Sequence, residues 1–220
     1  MGGLVKKNII LKDQELVLTT ARCLFIQEID SLVLSDLHVG KSAHFQKFGI
    51  PISKDILLND LSRLSDLIQF FQPSKVIVVG DLFHAEYNKD LDTFKTWLLQ
   101  FSEIEFVLIK GNHDRLKNQI YEDLNIVYYE LKATFGQFDF VHDTENYSLN
   151  EDQITISGHL HPGVLLKGKG RQRVKLPCYI QTKDEIILPA FSEFTGLNAK
   201  INKEKATYFG FTKDKILEIK

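Results

Sequence analysis

The stretch Phe106-Val107-Leu108-Ile109, followed after Lys110 by Gly111-Asn112-His113-Asp114, is the part of the sequence on which the fold prediction rests. Four consecutive apolar residues that end near a glycine predict a short buried strand. A polar loop directly after a buried strand is where α/β folds place binding and catalytic groups. The stretch therefore predicts an α/β protein with its chemistry at the ends of strands.

Two earlier segments repeat this arrangement. Leu32-Val33-Leu34 runs into Ser35-Asp36-Leu37-His38, and Val76-Ile77-Val78-Val79 runs into Gly80-Asp81-Leu82-Phe83-His84. Each apolar run has the length of a strand, and each is followed by side chains that commonly bind metals. Three such segments in one chain indicate one shared metal site rather than three unrelated turns.

The rest of the chain predicts an alternation of helices and strands first, and mostly strands later. We expect a hairpin over residues 9–18 and helices over residues 53–71, with Ser53 as N-cap, and 91–101. One short helix is expected within residues 115–125. The later strands are expected at residues 135–142, 153–157, 174–181, 185–188, 207–211 and 215–219. This order predicts an α/β fold of two packed β-sheets, a β-sandwich, flanked by α-helices.

Length and composition predict one globular domain over residues 1–220. The chain is 44% hydrophobic and 25% charged, which is ordinary for a globular protein. Its net charge of −2 shows that the surface as a whole is not positively charged, as a general nucleic-acid-binding surface would be. Cys23 and Cys178 lie far apart in the sequence and are expected to be free thiols. No run resembles a signal peptide or a transmembrane span, so we expect a cytoplasmic protein without a membrane partner.

Several side chains at strand ends form a candidate set of metal ligands. Asp36 and His38 are two residues apart, so within a strand they would point the same way, and the carboxylate of Asp81 could bridge two ions. The full set is Asp36, His38, Asp81, Asn112, His142, His159 and His161. Imidazoles and carboxylates without a thiolate suit Mn²⁺, Fe²⁺, Zn²⁺ or Ni²⁺ rather than Ca²⁺. The ligand types do not choose among these four ions, and Mn²⁺ is the first expectation.

The charge of this set favours two divalent ions. Asp36 and Asp81 are its only acidic members, so two ions would leave a positive surplus that attracts phosphate and lowers the pKa of bound water. His113 is then a candidate to stabilise or protonate the leaving group, with Asp114 expected to fix its tautomer and raise its pKa. The alternative is that Asp114 caps a helix and His113 is an exposed loop residue.

The motifs Asp-x-His at 36–38, Gly-Asp at 80–81, Gly-Asn-His-Asp at 111–114, a lone His142 and Gly-His-x-His at 158–161 resemble, in this order, the calcineurin-like metallophosphoesterase superfamily. The resemblance implies a β-sandwich flanked by helices and a dinuclear metal site. It further implies that one ion is held by Asp36, His38, Asp81 and His161. The other ion would be held by Asp81, Asn112, His142 and His159.

Further segments resemble one bacterial branch of that superfamily, the PdeM-like endonucleases of the ligase-associated DNA damage response. They include the residues around 35–45, Leu176-Pro-Cys, Leu188-Pro-Ala-Phe and Phe194-Thr-Gly. The resemblance implies a phosphodiesterase acting on DNA, in a repair pathway that also contains a DNA ligase, a helicase and an exonuclease. His44 and His84 would then face the substrate, or they are ordinary polar residues at the rim of the site.

The segment Lys167-Gly-Lys169-Gly-Arg171-Gln-Arg173-Val-Lys175 places a cation at every second position shortly after His161. The whole chain has 27 Lys and Arg against 29 Asp and Glu, and without these five cations it has 22 against 29, so the positive charge is concentrated here. We expect Lys167, Lys169, Arg171 and Arg173 to contact a polyanion, whether the segment forms a strand or wraps a backbone as a loop. The alternative is a solvated loop.

These features together predict a metal-dependent phosphodiesterase, an endonuclease that hydrolyses DNA in repair. One alternative is a phosphatase or pyrophosphatase acting on a small or lipid-linked phosphate. A second is a non-catalytic scaffold, which we expect least because every ligand type of the metal site is present.

Overall fold

The computed structural model describes residues 3–41, 55–84, 88–145, 147–168 and 170–220, and within them the strands form two sheets. The first sheet has strands β1 to β7 in chain order, at Lys6–Leu11, Gln14–Thr19, Leu24–Ile26, Ser31–Leu34, Lys75–Val79, Glu105–Ile109 and Ile126–Tyr129. Strands β1 to β4 pair antiparallel. Strands β4 to β7 pair in parallel, which places their carboxyl ends at one edge of the sheet.

The second sheet contains β8 to β15, at Lys132–Phe135, Phe138–Val141, Ile154–Ser157, Gly163–Lys167, Arg173–Gln181, Glu185–Ile187, Thr207–Phe211 and Ile216–Ile219. Their order is β15-β14-β12-β13-β10-β9-β8, and β11 pairs with β12 outside this path. Strands β9, β10 and β13 are parallel to one another. The remaining pairs are antiparallel.

Three α-helices lie within the described residues: α1 at Asp55–Phe71, α2 at Lys89–Leu98 and α3 at Asn118–Asp123. The chain continues from α2 into a 3₁₀ turn at Leu99–Phe101. The side chain of Asn88 caps α2 by accepting a hydrogen bond from the N–H of Asp90. Ser53, the predicted cap of α1, lies outside the described residues. None of the described helices combines the length and the apolar character needed to cross a membrane.

The helices and the two sheets stack in layers. Leu64 of α1, Phe94 of α2 and Tyr121 of α3 belong to one apolar core, which also contains side chains from one face of the first sheet. The other face of that sheet packs against the second sheet, where Ile77 and Phe140 share a separate core. Burial on both faces explains why the parallel strands are apolar at successive positions rather than at alternate ones.

The predicted fold class is confirmed: two mixed sheets with helices alongside. The opening hairpin, the three helices and the later strands lie close to their predicted positions. Strands β7, β8 and β11 are additional to the prediction. Cys23 and Cys178 are both buried and free.

Candidate metal centre

Loops that follow five strands form the candidate site. They come after β4, β5, β6, β9 and β10, and they carry all seven predicted ligands. Backbone hydrogen bonds connect neighbouring loops: the N–H of Asp36 donates to Gly80 O at 3.0 Å, and that of His38 donates to Asp81 O at 2.9 Å. The N–H of Gly158 donates to His142 O at 3.1 Å, which joins the two loops of the second sheet.

The predicted strand geometry of Asp36 and His38 is wrong. Both lie beyond the end of β4 and have left-handed backbone conformations, with φ values of 57° and 53°. Asp81, His159 and His161 are left-handed as well, at 53°, 65° and 46°. A non-glycine residue in this conformation costs on the order of 1 kcal/mol, and such residues cluster at functional sites. Five strained positions among the seven candidate ligands therefore point to a constraint from function.

The first cluster joins Asp36, His38 and His161, whose candidate ligand atoms all lie within 4.8 Å of one another. The Oδ1 atom of Asp36 is 3.1 Å from His161 Nε2 and 4.0 Å from His38 Nε2. Burial alone would raise the pKa of Asp36, but the hydrogen bond from His161 and its charge hold it below the ordinary value. The carboxylate is therefore ionised and able to bind a cation.

His38 provides the first test of whether a metal fits. Its side chain is buried, and neither ring nitrogen has a hydrogen-bond partner among the described residues. Burial lowers the pKa of His38 to about 3, so the ring is neutral at physiological pH and one nitrogen carries a lone pair. A buried polar atom without a partner costs about 1–3 kcal/mol. A cation bound at the lone pair would satisfy it.

The second cluster joins Asp81, His142 and His159, and Asn112 lies against it. His142 Nδ1 donates to the Val79 carbonyl oxygen at 2.9 Å, since a carbonyl only accepts. His142 Nε2 therefore faces Asp81 Oδ2 at 3.5 Å, Asn112 Oδ1 at 3.3 Å and His159 Nδ1 at 3.3 Å. These partners offer lone pairs, so their convergence requires positive charge between them.

A proton on His142 is one source of such charge. Burial would raise the pKa of Asp81, but hydrogen bonds from the His142 side chain and the His113 N–H lower it to about 2. Burial would lower the pKa of His142, but Asp81 raises it to about 9. The pair is therefore a carboxylate and an imidazolium at neutral pH. A divalent cation can replace that proton, so the donor set fits a metal.

Gly80 and Gly111 leave space for two of these ligand side chains. A Cβ atom at Gly80, whose φ is +82°, would overlap the imidazole of His142. A Cβ atom at Gly111 would overlap the carboxylate of Asp81. Each glycine therefore leaves room for a ligand side chain that passes directly over the backbone.

Asp114 differs from its predicted role. It is buried, and its two oxygens accept hydrogen bonds from the N–H groups of Phe83 at 2.8 Å and Gly111 at 2.9 Å. Burial raises its pKa to about 6. The predicted contact with the His113 ring is not found among the described residues, where the bonds of the carboxylate go to these two backbone N–H groups. Asp114 instead connects the loops that follow β5 and β6 through these two hydrogen bonds.

His113 and His84 lie beside the first cluster. The His113 N–H donates to Asp81 Oδ1 at 2.9 Å, which positions the residue. Its ring stacks on His84 with centroids 4.8 Å apart and meets the His38 ring edge-on at 5.5 Å. Both side chains are partly exposed and so are accessible to a bound substrate.

The remaining predicted substrate contacts lie farther along the chain. Lys167, Arg171 and Arg173 are exposed on the hairpin formed by β11 and β12, in which Lys167 lies directly opposite Arg173. This hairpin begins two residues after His161. His44 and Lys169 lie outside the described residues.

Lys41 was not among the predicted site residues. It is half-buried, and burial lowers its pKa while the charges of Asp36 and Asp81 oppose that change. Its ammonium therefore lies within the electrostatic field of both clusters, 5.8 Å from the Phe194 ring centroid. The sequence feature that could have indicated this role is its position, three residues after His38 of the Asp-x-His motif.

Backbone hydrogen bonds that hold the segment of Asp36 were also not predicted. The N–H groups of Phe191 and Ser192 donate to the carbonyl oxygens of Ser35 at 2.8 Å and Asp36 at 3.2 Å. Arg63 on α1 holds this segment by donating to Phe191 O at 2.6 Å. No local pattern signals these contacts, because the partners are more than a hundred residues apart.

Comparison with known proteins shows the family to which the chain belongs. The family model for the calcineurin-like phosphoesterases matches residues 30–198, which include every candidate ligand. No curated protein sequence gives a significant match.

Among solved structures, nuclease MPE of Pseudomonas putida is similar to this chain with a TM-score of 0.81 and 24% sequence identity, covering 98% of this chain and 100% of that one. The E. coli phosphoesterase Yfce gives a TM-score of 0.47 and 12% identity over 86% of this chain and 97% of that one. Since the family model spans most of its length, the chain is a metal-dependent hydrolase that belongs to the calcineurin-like phosphoesterase family.

Proposed function

We propose that this protein is a phosphodiesterase that hydrolyses DNA with two divalent metal ions. The observation that carries the proposal is the pair of adjacent clusters, Asp36 with His38 and His161, and Asp81 with His142 and His159. In this proposal one ion takes Asp36, His38, Asp81 and His161, and the other takes Asp81, Asn112, His142 and His159. Mn²⁺ is the first expectation for both ions, with Fe²⁺, Zn²⁺ and Ni²⁺ as alternatives.

When bound, the ions supply Lewis-acid polarisation of the phosphoryl group and lower the pKa of water. The side chains around them hold and orient the substrate. Lys41 attracts the phosphate through its partly desolvated ammonium. His113, fixed through its backbone bond to Asp81 and by stacking on His84, donates a hydrogen bond or a proton to the leaving oxygen.

The basic hairpin supports a polyanionic substrate. Its cations Lys167, Arg171 and Arg173 are exposed and begin six residues after His161. A small phosphate monoester would not extend to them, whereas a DNA strand lying across the metal centre would. The similar P. putida structure is that of a nuclease, which favours the same substrate class.

The wider setting is part of the same proposal. We place the protein in the cytoplasm, where free buried thiols such as Cys23 and Cys178 are stable. A DNA ligase, a helicase and an exonuclease are its expected partners in repair. Residues 1–220 are proposed to form one domain, since one core between the sheets contains residues from Ile9 to Phe211.

A comparison of a diester with a monoester tests the proposal. Protein stripped of metal and reloaded with Mn²⁺ is assayed with bis-p-nitrophenyl phosphate and with p-nitrophenyl phosphate, and its metal content is measured in parallel. We expect about two ions per chain and faster hydrolysis of the diester. Preference for the monoester would favour the phosphatase or pyrophosphatase alternative. Absence of activity with every metal tested would favour the scaffold.

A further inference from the structure

A second cationic surface lies on the outer side of the second sheet. It is a groove of about 570 Å³ bounded by β11, by residues 199–203 with 205 and 206, and by the paired ends of β14 and β15. Four lysines line it, and no acidic side chain lies among its lining residues. The lysines are Lys200, Lys203, Lys205 and Lys220. A concave surface lined only by this one sign of charge attracts anions.

The groove begins beside the candidate metal centre. The N–H of Asn198 donates to His161 O at 2.9 Å, and Asn198 O accepts from the Gly163 N–H at 3.0 Å. The N–H of Lys200 then donates to Asn198 Oδ1 at 3.1 Å, which fixes the start of the lysine segment. One end of the groove is therefore joined by hydrogen bonds to the backbone of a candidate ligand.

The charge on two of these lysines is not neutralised. Lys203 pairs with the buried Glu185 at 3.3 Å, and Lys220 pairs with Glu218 at 3.4 Å. Lys200 and Lys205 are exposed, and neither forms an ion pair within the ranges that the structure describes. The sequence from residue 153 to residue 183 contains no Asp or Glu, so acidic side chains are also missing from the neighbouring hairpin.

We propose that this groove binds the phosphate backbone of a DNA strand whose scissile bond lies at the metal centre, with Lys200 and Lys205 as its contacts. The inference rests on the proposed function, and it extends the substrate from a single phosphodiester to a strand that continues beyond the hairpin. Tyr208, the aromatic side chain in the groove, accepts from the Lys203 N–H at 3.0 Å and donates to Ile201 O at 3.3 Å. Its hydroxyl is thus committed to the protein, so Lys200 and Lys205, rather than this hydroxyl, are the groups expected to contact the strand.

Removal of the two unpaired charges tests the groove. The variant carries Lys200→Ala and Lys205→Ala, and its matched control carries Lys213→Ala and Lys215→Ala. The control lysines are exposed and lie at the opposite end of the β14–β15 hairpin, so both proteins lose the same charge. Binding of a labelled single-stranded 20-nucleotide DNA is followed by fluorescence anisotropy over a range of salt concentrations. Turnover is measured on that DNA and on bis-p-nitrophenyl phosphate.

We expect the groove variant to bind the 20-nucleotide strand several-fold more weakly than the wild type. Its salt dependence should fall by about 0.7 in log–log slope for each lost phosphate contact. Turnover of bis-p-nitrophenyl phosphate should stay unchanged, because a single diester at the metal centre is too small to contact Lys200 or Lys205. The control should behave as the wild type does.

Two results would overturn the inference: unchanged strand binding in the groove variant, or an equal loss in the control. Anisotropy reports binding whether or not the strand is cleaved. Suppose that the strand binds through Lys200 and Lys205 but the wild type hydrolyses no diester. This result would contradict the proposed function and still support the groove as a binding site for DNA. If the wild type cleaves the diester and the groove variant binds the strand as tightly as the wild type, the groove inference is wrong and the proposed function is unaffected.

Discussion

His161 Nε2 lies 3.1 Å from Asp36 Oδ1, although 125 residues separate them in the chain. The two residues follow strands of different sheets, so the candidate metal centre spans the junction between the sheets. A cation bound there would therefore hold the two halves of the sandwich together as well as activate a substrate.

Loss of the carboxylate charge at Asp81 should remove metal. In the proposed site this residue serves both ions, and it lies 3.5 Å from His142 Nε2. We expect Asp81→Asn to lower Mn²⁺ affinity by about 100-fold or more, since even supporting residues of metal sites contribute about 10- to 100-fold. Metal content by elemental analysis and hydrolysis of bis-p-nitrophenyl phosphate measure the effect. Full metal occupancy in this variant would contradict its place in the site.

His113 should affect turnover without affecting metal content. Its ring packs beside the clusters, and in the proposed site it is not a ligand. We expect His113→Ala to lower kcat by about 100-fold or more, as is usual for loss of a general acid. Metal content should remain at the wild-type value, in contrast to Asp81→Asn. Turnover close to that of the wild type would show that the ring has no part in catalysis.

Asp114 should contribute mainly to stability. Its two oxygens accept from two backbone N–H groups, and an amide in its place can accept only one of these bonds. We expect Asp114→Asn to cost about 1–3 kcal/mol. For a chain of this size, that corresponds to a fall in Tm of about 2–12 °C. Calorimetry measures the shift. A variant with unchanged Tm but abolished turnover would return Asp114 to the catalytic role first predicted for it.

Metal removal should destabilise the protein. Asp36 and Asp81 are buried carboxylates, and His38 is a buried imidazole whose nitrogens have no partner in the described part of the chain. At a metal concentration of 100 times Kd, one bound ion contributes about 2.7 kcal/mol. EDTA removes both of the proposed ions, so we expect it to lower Tm by about 10–20 °C. Readdition of Mn²⁺ should restore it, whereas readdition of Ca²⁺ should not. An identical Tm with and without EDTA would argue against a resident metal.

The basic hairpin should affect long substrates only. We expect replacement of Lys167, Arg171 and Arg173 by Ala to weaken DNA binding and to flatten its salt dependence by about 2 in log–log slope. Hydrolysis of bis-p-nitrophenyl phosphate should be unaffected. The matched control replaces Lys183, Lys213 and Lys215, which are exposed elsewhere. If the control weakened binding as much as the hairpin variant, the effect would be one of net charge and the hairpin would have no specific role.

Much of the fold could be predicted from local sequence. Strands β4, β5 and β6 are apolar runs that end at polar loops, and their burial on both faces makes the runs continuous. Helix α1 follows from the regular spacing of its buried leucines. The identity of the candidate ligands was also accessible, because metal chemistry restricts the choice to a few residue types at strand ends.

The sequence by itself therefore determined the fold class and the candidate ligands of the site. Only the tertiary structure decided how the residues meet. The left-handed backbone at Asp36 and His38, the bonds from Asp114 to Phe83 and Gly111, and the groove at Lys200 and Lys205 were not predicted. The physical reason is that hydrophobic periodicity reports which face of an element is buried, whereas these features depend on partners brought together from distant parts of the chain.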